Sequence, residues 1–320
     1  MLEENRIVVD TRLEFLTALV IAYKKDIAFN KDKYDWVEYY DNSYVHELVE
    51  KIAIKEYEEI YKYLENITFC DIYTELYLYL DNEMNYTAGY TKEPFKDLSI
   101  VDFGKIIHKI YIDRNLKSFF ENASERYNNL ITFVNNIMFD NNALDEVNKF
   151  YNIEVPDYHI VVSLLFNGSF GFEFKGKPYI LRSIEYKDDK YILNKNLLLQ
   201  KFFHEISHPI VNALVDKHRN EIKVDDTFLE EAINNGLPTC YQQLYTLLYE
   251  YFVRINELYL IKSYVNESRY KESIEWAKKI GFTYIDNLVD LLVKKRFAYK
   301  NYEDVLTQEL IPCLNKINNK

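Results

Sequence analysis

The chain has 320 residues, about two domains by length and ample for a buried core, and its 48% hydrophobic and 28% charged residues exclude a disordered chain. Seven glycines and six prolines are too few for loop-rich β architectures or collagen-like repeats. Thirty-nine basic against fifty-one acidic residues leave a net charge of −12, so no nucleic-acid partner is expected and acidic membranes are disfavoured.

The opening MLEENRIVVD is acidic and only briefly apolar, unlike a secretory signal. No uncharged apolar run reaches the roughly 18 residues needed to span a membrane, so a cytoplasmic protein with no membrane partner is expected. Residues 9 to 150 read mainly as helices. Leu13, Leu16, Val20 and Tyr23 recur at helical spacing after a cap at Asp10 or Thr11, and the charged, aromatic run from Tyr44 to Leu64 has similar spacing. The polar segment 81–95, with Gly89 and Pro94, predicts a loop. Residues 99–139 predict two further helices that break near Arg114 and Asn115.

The texture changes near Pro156. YHIVVSLLF (158–166) is β-branched and aromatic, followed by Asn167-Gly168, then FGFEF, Gly176 and KPYILRSI. This predicts strands with a turn at Asn167-Gly168. From about Lys195 helical periodicity returns. The expected class is α+β, predominantly helical with a small mixed sheet. The expected division is a helical region 1–150 and a region 151–320 holding the sheet, a central helix and a helical C-terminal part, unless the two are one continuous domain. Cys70, Cys240 and Cys313 are widely spaced and form no CxxC pair, so neither a zinc knuckle nor a disulfide framework is expected.

The segment NLLLQKFFHEISHPIVNALV carries His204, Glu205 and His208 as HExxH. Four residues bring both imidazoles to one helix face, one turn apart, where they can share a Zn²⁺. Glu205, beside the first of them, is placed to take a proton from metal-activated water and pass it to a leaving amine. Chance alone would produce this pattern in about one such chain in a hundred, before its apolar helical context is considered. Pro209 has no N–H to offer the Glu205 carbonyl, so the helix is expected to kink or loosen there. Asn212, one turn past His208, reads as a helix-face residue or as a support for the site.

Catalytic zinc usually takes three protein ligands. His218, in the charged stretch DKHRN, reads as surface. Glu230 or Glu231 in FLEEA, and Glu250 in LLYEYFV, are the acidic candidates. Spacing favours Glu231, which lies nearer His208. Environment favours Glu250, whose neighbours are apolar or aromatic and would make an uncompensated carboxylate costly. Arg254, four residues on, shares its face and can orient Glu250 or point toward an oxyanion. Glu250 is therefore the expected third ligand.

HEISHPIVN followed by YEYFVRIN resembles a family of bacterial proteins catalogued as domain of unknown function 4932, which are HExxH metallopeptidase-like. In that family a motif like HEFxHxFVN precedes one like ExLVRA. These fall on His204, Glu205, His208, Val211 and Asn212, then on Glu250, Val253 and Arg254, with Ile255 in place of the usual alanine. The opening IVVDTRLEFLTAL, with Asp10, Arg12 and Glu14, is similar too, as are GFTYIDNLVDLL and RFAYKNYEDV. The resemblance implies a zincin-like fold and a zinc hydrolase, and names no substrate.

The leading expectation is a gluzincin-like zinc peptidase acting on a peptide or protein. Strand residues between 158 and 182 would rim its cleft, and Gly168, Gly171 and Gly176 would leave room for an extended peptide or simply make turns. The alternatives are a non-catalytic zincin-fold binding protein, which intact Glu205 argues against, or a self-regulated protein whose N-terminal helices cover the cleft. Tyr241, Tyr245 and Tyr249 lie at helical spacing and read as packing, with one of them able to donate to an oxyanion.

Overall fold

The computed structural model describes residues 6–26, 39–66, 75–90, 95, 97–140, 142–155, 158–175 and 177–318; Cys70, Pro94, Pro156 and Gly176 lie outside them. Helices predominate, with a small mixed sheet, an α+β composition. The chain divides into two compact units, one of residues 1–136 and 158–193, the other of 137–157 and 194–320. The strands thus group with the N-terminal helices, and the HExxH segment with the C-terminal ones.

The first unit holds α1 (Thr11–Asp26), α2 (Ser43–Ile52), α3 (Tyr61–Leu64), α4 (Ile100–Asp113), α5 (Leu116–Asn122) and most of α6 (Ser124–Asp140). Its first strands are β1 (Ile7–Val8), β2 (His159–Ser163), β3 (Ser169–Phe174) and β4 (Lys177–Ser183). Every residue of α1 from Leu13 to Tyr23 is buried, so this helix is covered on all faces rather than along one stripe. Asp10 starts it, accepting the Arg12 N–H at 3.0 Å and pairing with the Arg12 guanidinium at 2.9 and 2.6 Å. The Tyr44–Leu64 run is not one helix. Ala53 is left-handed at φ 48° and ends α2, and two 3₁₀ turns intervene before α3. Between 99 and 139 there are three helices rather than two. Left-handed Asn115 separates α4 from α5 as expected, and a further break at Ala123 separates α5 from α6.

The sheet runs β1-β2-β4-β3. β2 is parallel to both β1 and β4, while β3 is antiparallel to β4. Ile160, Val161, Val162 and Ser163 are all buried, which explains the unbroken apolar run of β2 in the sheet interior. Asn167-Gly168 is therefore not a hairpin turn: β2 and β3 both pair with β4, not with each other. Gly168 answers a different need, since a Cβ there would come within 2.9 Å of the Phe170 ring. The hairpin is β3–β4, in which Phe174 faces Lys177. A second hairpin, β5 (Glu185–Lys187) with β6 (Lys190–Ile192), turns through Asp188 and Asp189 at φ 50° and 57°. Two successive positive φ values suit the strand twist, and short polar aspartates tolerate them.

The second unit holds α7 (Ala143–Tyr151), α8 (Lys195–Lys217), α9 (Asp226–Asn234), α10 (Leu244–Tyr264), α11 (Glu267–Lys279), α12 (Ile285–Lys295), α13 (Tyr302–Val305) and α14 (Ile311–Asn318). Asn194 caps α8, its side chain accepting the Leu197 N–H at 3.1 Å. The helix continues through Pro209 without interruption. α8 packs against α10. Nearly every residue of α10 from Leu247 to Ile261 is buried, including Glu250, Arg254, Asn256 and Glu257. Among the described residues no helix is long and apolar enough to cross a membrane, and neither Cys240, which is exposed, nor Cys313, which is half-buried, is in a disulfide.

Candidate metal centre

His204 and Glu205 are buried on α8, and the His208 side chain keeps 24% of its surface exposed. One helical turn separates the two imidazoles, whose Nε2 atoms lie 3.2 Å apart with the rings nearly perpendicular, at 81°. Glu250 reaches them from α10. Its Oε1 is 3.3 Å from His208 Nε2 and its Oε2 is 3.6 Å from His204 Nε2. One donor atom from each of the three residues lies within 4.8 Å of the others. The remaining acidic candidates are elsewhere: Glu230 is exposed, and Glu231 accepts the Tyr284 hydroxyl at 2.8 and 3.1 Å. His218 is not plain surface either. It caps α8, with Nδ1 2.7 Å from Glu221 and Nε2 2.6 Å from Glu303, and those hydrogen bonds raise its pKa above the usual histidine range.

A second layer surrounds the three donors. His204 Nδ1 lies 2.7 Å from Glu257 Oε2, so the Nδ1–H donates outward and the Nε2 lone pair faces His208 and Glu250. Glu257 is absent from the sequence reading. Its signal was the seven-residue step from Glu250, two turns along the same face of an apolar helix. Arg254 Nη2 stands 3.1 Å from Glu250 Oε2 and 3.4 Å from the Tyr241 hydroxyl, and Nη1 is 3.8 Å from Glu257 Oε2. Its guanidinium also faces the rings of Trp276 and Phe282, 4.9 and 5.0 Å from their centroids.

The three tyrosines do not share a helix face. Tyr241 sits in a 3₁₀ turn (Thr239–Tyr241) ahead of α10 and reaches Arg254, while Tyr245 lies under Arg219 and Tyr249 donates to Asp216. Burial and the Glu250 charge push the Tyr241 hydroxyl up to about 12, so it stays protonated.

The family model described as Domain of unknown function (DUF4932) matches residues 91–310. The chain belongs to this family. The match takes in the three donors, Glu205, Arg254 and Glu257, whereas Asp10, Arg12 and Glu14 precede it. No curated protein and no solved structure matches the chain.

Electrostatics bear on what this DUF4932 site can hold. Glu205, Glu250 and Glu257 are buried carboxylates, and Arg254 is the one buried cationic side chain beside them. With both imidazoles neutral, as metal ligation requires, three carboxylates against Arg254 would leave two negative charges, an excess in a low-dielectric interior that a divalent cation would balance. Burial opposes ionisation of Glu250, yet His204, His208 and Arg254 outweigh it and hold its carboxyl well below the usual range. Burial would also lower His208, but Glu250 and Glu205 more than offset this, and Asn212 adds to the upward shift. Glu250 Oε2 is buried and receives no aligned hydrogen bond, although Arg254 is close. Two nitrogens bound at zinc distances in a tetrahedron lie about 3.3 Å apart. The 3.2 Å between the two Nε2 atoms and the 3.3 and 3.6 Å to Glu250 match that spacing. The donor set fits zinc.

Proposed function

We propose that this protein is a zinc-dependent hydrolase, a metallopeptidase acting in the cytoplasm on peptide or protein substrates, with His204, His208 and Glu250 holding the metal and Glu205 as general base. The observation that carries the proposal is the convergence of three donors from α8 and α10 at ligand spacing, with Glu205 next to the first of them. A zinc ion bound there would polarise a scissile carbonyl and lower the pKa of water to about 7. Glu205 would take the proton released on attack and return it to the leaving amine. His204 is held ready by Glu257, so that its Nε2 needs no reorientation on binding. Arg254 is a positioning residue in this scheme, because its Nη2 is turned to Glu250. A zincin-like architecture belongs to the same proposal, supported by the mixed sheet and the helical HExxH segment.

Metal analysis of purified protein tests the site. The wild type is expected to carry one zinc, and His204→Ala, His208→Ala and Glu250→Ala to lose it. Full zinc in the two histidine variants would move the site elsewhere. Full zinc in Glu250→Ala, with loss in Glu231→Ala, would reassign the third ligand. Glu205→Gln is expected to keep zinc and lose cleavage of a peptide library, since it deletes the base but preserves shape. A wild type that binds zinc and cleaves nothing in that library would favour the non-catalytic reading.

A further inference from the structure

A buried polar chain runs outward from His204 through three further side chains. Glu257 accepts the His204 Nδ1–H at Oε2, and its other oxygen, Oε1, accepts the Gln200 amide N–H. The Gln200 carbonyl oxygen accepts Arg269 Nε–H at 2.6 Å. Gln200 and Glu257 are buried, whereas Arg269 keeps 26% of its side-chain surface in solvent. Arg269 lies in the first turn of α11, whose Asn266 cap accepts the Arg269 N–H at 2.7 Å. Gln200 is four residues before His204, so both project from one face of α8.

The polarity of this chain leaves it only one arrangement. A carboxylate accepts but cannot donate, and a guanidinium donates but cannot accept. Gln200, between them, must turn its NH₂ to Glu257 and its oxygen to Arg269. Flipping the amide would set two acceptors and two donors against each other. The cation at one end and the anion at the other polarise the amide cooperatively. Glu257 also has a competing partner, Arg254 Nη1, 3.8 Å from the same Oε2 that serves His204. If Gln200 loses its anchor, Oε1 loses its fixed donor and Glu257 is free to swing toward Arg254 and away from His204.

We infer that Arg269, Gln200 and Glu257 form a positioning relay by which the start of α11 sets the tautomer and aim of His204. The inference rests on the metal reading for its consequence, tighter zinc binding, but not for its first effect, which is on the imidazole itself. Arg269→Met removes the donor and keeps the aliphatic stem; Arg269→Lys retains a donor.

The experiment combines zinc affinity by chelator competition with ¹⁵N NMR of the histidine rings in zinc-free protein. Wild type is expected to show His204 protonated at Nδ1 and bare at Nε2. Glu257→Gln should mix the tautomers and weaken zinc about 10–100-fold, the usual range for such outer partners. Arg269→Met should mix them as well and weaken zinc roughly 3–10-fold, with Arg269→Lys restoring most of the loss. Glu257→Gln with Arg269→Met should be little worse than Glu257→Gln alone, since both act through one chain. An Arg269→Met protein with wild-type tautomer and zinc affinity, or a double variant whose losses multiply, would overturn the relay. Absence of zinc binding by the wild type, with the tautomers shifting as described, would remove the metal reading and leave the relay standing.

Discussion

Glu14 is a residue whose role is set wholly by its surroundings. It has no exposed surface, and neither carboxylate oxygen is within hydrogen-bonding geometry of a partner, though Ser163 and Tyr44 lie beside it. Burial pushes its carboxyl up to about 8, with Ser163 and Tyr44 only partly offsetting this. A carboxyl with a raised folded-state pKa costs nothing below its unfolded value of 4.5, and costs progressively more as pH rises toward 8. Glu14→Gln keeps the shape without that proton. Urea unfolding is expected to find the two proteins equally stable near pH 4 and the variant more stable at pH 7, by on the order of 3 kcal/mol. A variant that loses stability equally at both pH values would show that the carboxyl is not held neutral. For His218 the charged neighbourhood in the sequence suggested solvent; the structure leaves the residue half-buried, with two carboxylates facing its two ring nitrogens.

Elements meet where backbone can approach closely, and Gly281 marks such a place. It follows α11 at φ +93°, and a Cβ there would fall 2.6 Å from the Ala232 carbonyl oxygen at the end of α9 and 3.0 Å from Leu237 N. That carbonyl already accepts the Leu237 N–H. Gly281→Ala therefore adds both backbone strain and a clash with a fixed acceptor. It is expected to cost at least about 2 kcal/mol of unfolding free energy, measured by denaturant titration. A near-neutral result would show that α9 can shift to admit the methyl group. Ala53 and Asn115 show the complementary case, in which residues other than glycine take left-handed angles because a helix must end there. Helices of continuous apolar character, α1 and α10, were readable as helices from composition and spacing. Their burial on all faces was not, because it depends on how many other elements surround them.

At the scale of the whole molecule, metal binding and folding should be linked. A ligand that binds only the native state stabilises it by about 2.7 kcal/mol when present at a hundred times its Kd. Zinc added to chelator-treated wild type is accordingly expected to raise Tm by several degrees, and to leave His204→Ala unmoved. An equal rise in both would mean that zinc binds away from His204. The sequence by itself determined what depends on near neighbours along the chain: a helical majority, the strand-rich stretch after 158, and two histidines with a glutamate at the spacing of one helical turn. Those features follow from periods of two and 3.6 residues, which are written locally. Tertiary structure alone decided the rest. The order β1-β2-β4-β3, and the absence of a hairpin at Asn167-Gly168, depend on strands that skip their nearest neighbour in sequence. Glu250 stands beside His208, and Glu257 beside His204, only because α10 docks along α8, across gaps of 42 and 53 residues. No local period spans such a gap, so the partners of a buried carboxylate are chosen by packing, where leaving it unpaired would cost the most.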